Sequence, residues 1–288
     1  MERETVGLLH PGEMGVSLAA TALNGGHRVL WASAGRSQAT HARASRWLLE
    51  DAGTLESLVR QCGILVSVCP PHAAEAVAEQ VLAAGYRGLF LDANAISPMR
   101  MAGIGRRMSA AGVTPVDGGI IGGPAWEPGT TWLYLAGVPE ATQRIVNCLA
   151  AGPMQVSVVG EEVGSSSALK ACYAAYTKGT TALLAAILAT AERLGVQPEL
   201  LAQWARDWPG METQAPNRVR GVTAKAWRFA GEMEEISATF AAAGLPGGFH
   251  ASAAEVYRRL ARFKGAAERP ALEEVLAALL EDAGPAPV

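Results

Sequence analysis

Lys170 is the first lysine in a 288-residue chain that holds only four lysines among its 24 basic residues. Arginine stays protonated under any condition a folded protein meets, whereas a lysine in a cleft can exchange its proton near neutrality. Such a group can relay a proton to or from oxygen while hydride is transferred at a C–O bond. Lys170 stands near the start of an apolar helical stretch, where solvent exposure is not the evident reason for it. The plain alternative is a lysine that snorkels to the surface. At helical spacing Tyr173 and Thr177 share its face. Tyr173 is placed to donate a proton or to orient Lys170, and Thr177 to touch a substrate. Tyr176 and Lys178 point elsewhere, to pack or to face solvent.

A second chemical stretch is "GLLHPGEMG", residues 7–15. A dinucleotide turn of the form G-x-G-x-x-G brings backbone N–H groups and the positive end of a helix dipole to a pyrophosphate. Gly12 and Gly15 fill its last two glycine positions, and His10 followed by Pro11 stands at the first. Gly12 admits close approach of phosphate and Gly15 lets the helix pack on the strand. The expected cofactor contacts are therefore His10, Pro11, Gly12, Glu13 and Met14; a tight turn that packs without ligand is the alternative. After the second strand, "WASAGRS" (31–37) contains no acidic residue to bind ribose hydroxyls. Ser33, Arg36 and Ser37 offer a guanidinium and two hydroxyls, which suit a 2′-phosphate and favour NADP over NAD.

These residues need a frame. Through residue 160 the chain alternates apolar runs with amphipathic stretches. "TVGLL" (5–9), "HRVLWA" (27–32), "GILVSVC" (63–69), "GLFLDA" (88–93), "TPVDGG" (114–119) and "TWLYLAG" (131–137) read as strands. Strands alternating with helices predict an α/β fold with a Rossmann-type, doubly wound and largely parallel sheet over residues 1–161. From 162 to 288 the strand signal stops, and an all-helical domain is predicted, led by one long helix over 163–195.

Half of the residues are hydrophobic, net charge is −3, and no basic run occurs. The chain is expected to bury a core and to bind neither nucleic acid nor membrane. Cys62, Cys69, Cys148 and Cys172 show no C-x-x-C spacing, and the five histidines do not cluster, so reduced thiols, a cytoplasmic location and no metal are expected. Glu232 and Glu235 share one side of "GEMEEISATF" (231–240), opposite an apolar stripe of Met233, Ile236 and Phe240; a solvated acidic face is the plain reading. His250 follows a glycine-rich turn at a helix start, as a cap or core contact or as a pocket residue of its own or the partner subunit. Trp126, Trp132, Tyr173, Trp227 and Phe249 could line a bulky, partly apolar substrate site.

Taken in order, the motifs resemble the β-hydroxyacid dehydrogenase and 6-phosphogluconate dehydrogenase superfamily, which includes the imine reductases. "SVCPP" (67–71) is similar to the loop over the cofactor, which implies contacts from Cys69 and Pro70. "LDANAISP" (91–98) resembles the D-x-S-x-x-x-P segment, with Asn94 at the serine position, either holding a substrate oxygen or the nicotinamide amide or simply forming a turn. "DGGIIGGP" (117–124) resembles the dehydrogenases' D-A-P-V-S-G-G and equally the D-G-A-I-M segment of imine reductases, which places Gly119, Ile120 and Ile121 beside substrate. "GSSSALKACYAAY" (164–176) is similar to G-x-G-x-x-x-K-x-x-N-N, which puts Lys170 at the catalytic-lysine position, and Glu232 falls near a K-D-L motif that reaches the active site.

Two departures matter: Ile121 replaces the serine that binds a substrate carboxylate, and Tyr173-Ala174 replaces the N-N pair. The resemblance implies an NADP-dependent oxidoreductase interconverting a carbonyl and a secondary alcohol of a small molecule, working as a homodimer. An imine reductase and a non-catalytic dinucleotide-binding protein are the alternatives.

Overall fold

The computed structural model describes residues 3–281, which fall into two compact units divided between Ala171 and Cys172. The first holds β1 (Thr5–Leu8), α1 (Glu13–Asn24), β2 (Arg28–Trp31), α2 (Gln38–Arg46), β3 (Glu50–Asp51) and α3 (Leu55–Gln61). It continues with β4 (Ile64–Ser67), α4 (Ala74–Ala83), β5 (Leu89–Asp92), α5 (Pro98–Ala110), β6 (Thr114–Gly122), β7 (Thr131–Ala136), α6 (Pro139–Leu149) and β8 (Gln155–Gly160). These strands make one sheet in the order β3-β2-β1-β4-β5-β6-β7-β8. Every pairing is parallel except β6 with β7, which run antiparallel through the loop 123–130.

The central strands are short and buried throughout because helices cover both faces, so they read as continuous apolar runs. Alternate residues serve opposite cores. Val6, Leu8, Ile64, Val66, Leu91 and Val116 pack with α1 and α6, through Val16, Ala19 and Ile145. Leu65 and Phe90 pack with α3, α4 and α5, through Leu58, Val77, Ile104 and Met108. The order of connection reverses between the parallel neighbours β1 and β4, and a crevice at the carboxyl ends of those strands is where a doubly wound sheet binds ligands.

Gly15 shows why one glycine of the opening motif is indispensable to the fold. A Cβ there would lie 2.5 Å from the His10 carbonyl oxygen and 3.3 Å from Leu8 Cδ1, whereas at Gly12 it would meet nothing within 4 Å. Gly15→Ala is therefore expected to lower stability by about 1–3 kcal/mol, as overpacking against backbone does. Gly12→Ala, at φ −76°, should shift it by less than about 1 kcal/mol. Urea unfolding midpoints of the two variants check this; equal losses would refute the distinction.

The helix α7 (Ser165–Arg193) runs 29 residues, about 43 Å at 1.5 Å per residue. The second unit consists of most of α7 with α8 (Gln197–Asp207), α9 (Met211–Gly221), α10 (Ala226–Ala242), α11 (Gly248–Arg259) and α12 (Leu272–Leu280). Fully buried Tyr257, with Met233, Ile236 and Ala254, anchors its interior. Among the described residues no helix is long and apolar enough to cross a membrane, and no cluster of potential ligands could hold a metal ion.

Candidate functional site

Past the end of β1, the Leu9 N–H donates to the Val66 carbonyl at 3.1 Å, which carries the chain along β4 before it turns at His10–Gly12. Gly12 is the N-cap of α1 in extended conformation, and no side chain caps that helix. The amides of its first turn, which lack carbonyl partners one turn back, are left for a ligand at the positive end of the dipole. The open space over Gly12 lets an anion reach them. His10 Nδ1 is buried with no hydrogen-bond partner, and burial together with the Arg36 charge pushes the His10 pKa down to about 4. The imidazole is thus neutral near pH 7 and contributes hydrogen bonding, but no charge, beside the turn.

Positive charge comes from two arginines. Arg36 Nη2 donates to the Leu9 carbonyl at 3.1 Å, and Arg43 Nε donates to the Pro11 carbonyl at 3.0 Å. Arg36 Nε is buried and unpartnered, and burial lowers the pKa of this guanidinium. Among the described residues neither arginine has a carboxylate partner. Two uncompensated guanidiniums at a glycine turn fit a phosphate-bearing ligand. The sequence pointed to Arg36 but not to Arg43, whose reach back to the turn depends on α2 folding over it. The Ser37 hydroxyl caps α2 by accepting the Thr40 N–H at 3.3 Å, so it is already committed. Ser33 closes the tight turn below, its carbonyl accepting the Arg36 N–H at 3.1 Å.

Across the sheet, register aligns Ser67 of β4 with Asp92 of β5 and Asp92 with Asp117 of β6. Residues in register on parallel strands share a face, so these three form a polar row one rung beyond Leu65, Phe90 and Pro115. All three are buried. Asn94 ties the row to the loop after β4: Oδ1 accepts the Cys69 N–H at 2.5 Å and Nδ2 donates to Ser67 Oγ at 3.0 Å. Its amide thus braces the Cys69–Pro70 loop from 25 residues away, a long-range role and not the local turn before "ISP". Burial, then the Asp92 charge, pushes the Cys69 thiol up to about 11, so it is not a nucleophile.

Asp117 holds the start of α7. It accepts N–H bonds from Gly164 and Ser167, both at 2.9 Å, and the Ser167 hydroxyl at 2.7 Å. Gly119, two residues on and on the same face, permits the contact: a Cβ there would lie 2.8 Å from the Ser166 carbonyl oxygen and 3.4 Å from Lys170 Cβ. The half-buried Lys170 therefore leaves α7 directly over β6. Its charge reaches Asp92, whose pKa burial raises to about 7 and Lys170 pulls the other way. Ile121 shares the Gly119 face, whereas Ile120 belongs to the opposite core beneath α1 and α6. Asp92 and Asp117 stand in the quoted segments, but nothing in a single sequence reveals that register sets them side by side.

In the second unit, Tyr173 is 51 % exposed and its carbonyl accepts the Thr177 hydroxyl at 3.2 Å. One sequence expectation needs correction here: Glu232 does not lie on a solvated acidic face but forms an ion pair with Lys178, their side chains 12 % and 19 % exposed. Lys178 packs, the first of the two readings given for it, with Nζ 4.5 Å from the Phe229 ring centroid. Arg218 donates to Thr181 Oγ1 and to the Thr177 carbonyl, each at 2.7 Å, and Tyr257 donates to the Lys178 carbonyl at 2.8 Å. This network locks α9, α10 and α11 onto α7. His250 is a buried core contact, its ring edge-packed on Phe240 and Phe249, and burial lowers its pKa.

Trp126 stacks on Trp47 with centroids 4.6 Å apart, and Trp132 Nε1 donates to Gln155 on β8 at 2.7 Å. Trp227 carries Lys264 Nζ over its ring, and Phe249 meets His250.

A family model described as the NAD binding domain of 6-phosphogluconate dehydrogenase matches residues 5–160, and a domain of unknown function matches 191–260. Comparison with curated proteins finds no match. Among solved structures, the Mycobacterium tuberculosis 3-hydroxyisobutyrate dehydrogenase with L-serine is 16 % identical, with TM-score 0.71, covering 97 % of this chain and 100 % of that one. A reductive aminase from Aspergillus terreus in complex with NADPH and ethyl-5-oxohexanoate is 20 % identical, with TM-score 0.56 and coverage of 94 % and 98 %. The conserved protein MTH1747, of unknown function and described as similar in structure to 3-hydroxyacid dehydrogenases, is 25 % identical, with TM-score 0.64 and coverage of 91 % and 100 %. The two family matches and these likenesses fit one architecture, a doubly wound sheet followed by helices.

Proposed function

Because the chain belongs to the family of the NAD binding domain of 6-phosphogluconate dehydrogenase, we propose that it is an NADP-dependent oxidoreductase that interconverts a carbonyl and a secondary alcohol. The observation that carries this reading is Lys170, which leaves α7 over Gly119 at the carboxyl ends of the central strands. The backbone of Gly12, Glu13 and Met14 would hold the pyrophosphate, and Arg36 with Arg43 the 2′-phosphate. The cofactor supplies hydride when bound. Lys170 supplies the proton: its ammonium donates to the carbonyl oxygen in reduction, and its amine accepts from the hydroxyl in oxidation. Ile121 on the Lys170 face gives no hydrogen bond to a substrate carboxylate, so the substrate differs from a simple 3-hydroxy acid.

Ile121, standing where a carboxylate-binding serine would, also favours a second reading, reduction of a C=N bond, in which an iminium demands less of Lys170. Oxidation of NADPH by the purified protein across ketones, 2-keto acids and cyclic imines tests both. Absence of turnover across that panel, with tight NADPH binding, would mark a dinucleotide-binding protein without catalysis.

Cofactor choice has its own test. Arg36→Ala is expected to weaken NADPH binding by about 10–100-fold, since a charge-assisted bond to a phosphate contributes about 1.5–3 kcal/mol. NADH binding should change by less than about threefold. Calorimetric titration of each cofactor reads both, and parallel losses would assign Arg36 to the fold of the turn instead.

A further inference from the structure

We propose that Asp92 is a positioning residue for Lys170: its carboxylate is the buried counter-charge that holds the Lys170 ammonium in place, charged, for proton donation. The proposal rests on the reading of Lys170 as proton donor and goes beyond it by naming what keeps the proton there.

Geometry carries the argument. Asp92 ends β5, is 1 % exposed, and stands in register between Ser67 and Asp117. One oxygen, Oδ1, accepts the Asn94 N–H at 3.0 Å, while Oδ2 is buried with no hydrogen-bond partner. An orphaned carboxylate oxygen in the interior is costly unless a charge stands by to compensate it. Among the described residues, Asp117 stands in register with it on β6, the Cys69 thiol in the loop after β4 feels its charge, and Lys170 on α7 is the cation that acts on it.

Asp117 spends its lone pairs on Gly164 and Ser167, one turn before Lys170, so it fixes where the lysine stem starts. Asp92 is left to meet the lysine's charge. Stability alone does not account for a carboxylate here. With its pKa raised to about 7, the native protein binds the Asp92 proton more tightly than the unfolded chain does. The ionised form therefore subtracts stability as pH rises from about 4 to 7. An asparagine would accept the same Asn94 bond without that cost.

The two groups thus titrate as a coupled pair. When Lys170 gives its proton to the substrate oxygen, the N–H bond breaks, the O–H bond forms and a neutral amine remains beside the Asp92 carboxylate. That negative charge favours recovery of a proton from water by the amine and so restores the ammonium.

With four lysines in the chain, side-chain 15N resonances of the full-length protein are few enough to follow individually. The Lys170 signal is identified by its loss in Lys170→Met. In Asp92→Asn the titration midpoint of Lys170 Nζ is expected to fall by roughly one pH unit or more. The alkaline limb of NADPH-dependent reduction should move down by the same amount. A purely structural role would lower yield or rate at every pH and leave the midpoint in place. Should Asp92→Asn fail to fold, the reciprocal measurement serves: in Lys170→Met the Asp92 13Cγ midpoint is expected to rise. A midpoint that stays put in either experiment overturns the pairing, even in an active enzyme. A shifted midpoint upholds it even if no carbonyl or imine is reduced, and in that case only the role of Lys170 as donor falls.

Discussion

Lys170→Ala is expected to lower kcat for NADPH-dependent carbonyl reduction by about 10²–10⁴-fold, or roughly 3–5 kcal/mol of barrier. NADPH affinity should stay within about threefold of wild type, because Lys170 stands over β6 rather than at the α1 turn. Hydride addition to a carbonyl leaves charge on oxygen, and a proton donor at that oxygen must surrender its proton in the transition state. Arginine cannot do so near neutral pH, so Lys170→Arg should be almost as impaired as the alanine variant despite keeping the charge. Small primary amines added to Lys170→Ala should restore part of the rate, since removal of the side chain opens space beside Gly119. Single-turnover absorbance of NADPH at fixed pH measures all three. Retention of more than about a tenth of the ketone rate by Lys170→Ala would remove the lysine from the chemistry. Loss with ketones but not with cyclic imines would move the assignment to C=N reduction.

Much of this frame could be read in advance, and the parts that could not share a cause. The six strands expected from apolar runs are present, because burial on both faces of a parallel sheet writes itself into composition. β3 is two exposed residues, Glu50 and Asp51, and β8 is mostly exposed along Gln155–Gly160. Neither carries the apolar run by which a buried strand announces itself. The glycine turn and Arg36 were legible because they act within 30 residues of one another. Arg43 on Pro11, the Ser67–Asp92–Asp117 row and the Lys178–Glu232 pair depend on partners brought together by register or helix packing. Helical periodicity says that Lys178 lies off the Lys170 face; it cannot say that Phe229 and Glu232 will cover it. The same limit made Glu232 look like part of a solvated face and left the carboxylates behind Lys170 without a role.

Asp117→Ala should be the most destabilising single change in the site, by about 3–5 kcal/mol, as removal of a buried charged partner generally is. The carboxylate is wholly buried and receives two backbone N–H groups and a hydroxyl from the first turn of α7. It acts as an N-cap delivered from β6, 47 residues before Gly164, rather than from the residue preceding the helix. Alanine leaves all three donors buried and unanswered, each at a cost of about 1–3 kcal/mol less whatever water recovers. It also removes the negative charge from the positive end of the helix dipole. Ser167→Ala gives up only the hydroxyl bond and should cost about 1 kcal/mol. Asp117→Asn keeps the shape but turns an NH₂ group toward N–H donors, so it should fall near the alanine variant rather than near wild type. Urea unfolding at pH 7 ranks the three. A loss below about 1 kcal/mol for Asp117→Ala would mean that α7 is anchored elsewhere. Because Ser167 and Lys170 are three residues apart on one helical face, loosening this cap also loosens the lysine. The folded fraction of Asp117→Ala should accordingly lose kcat more than it gains in KM, a pattern that destabilisation alone does not produce.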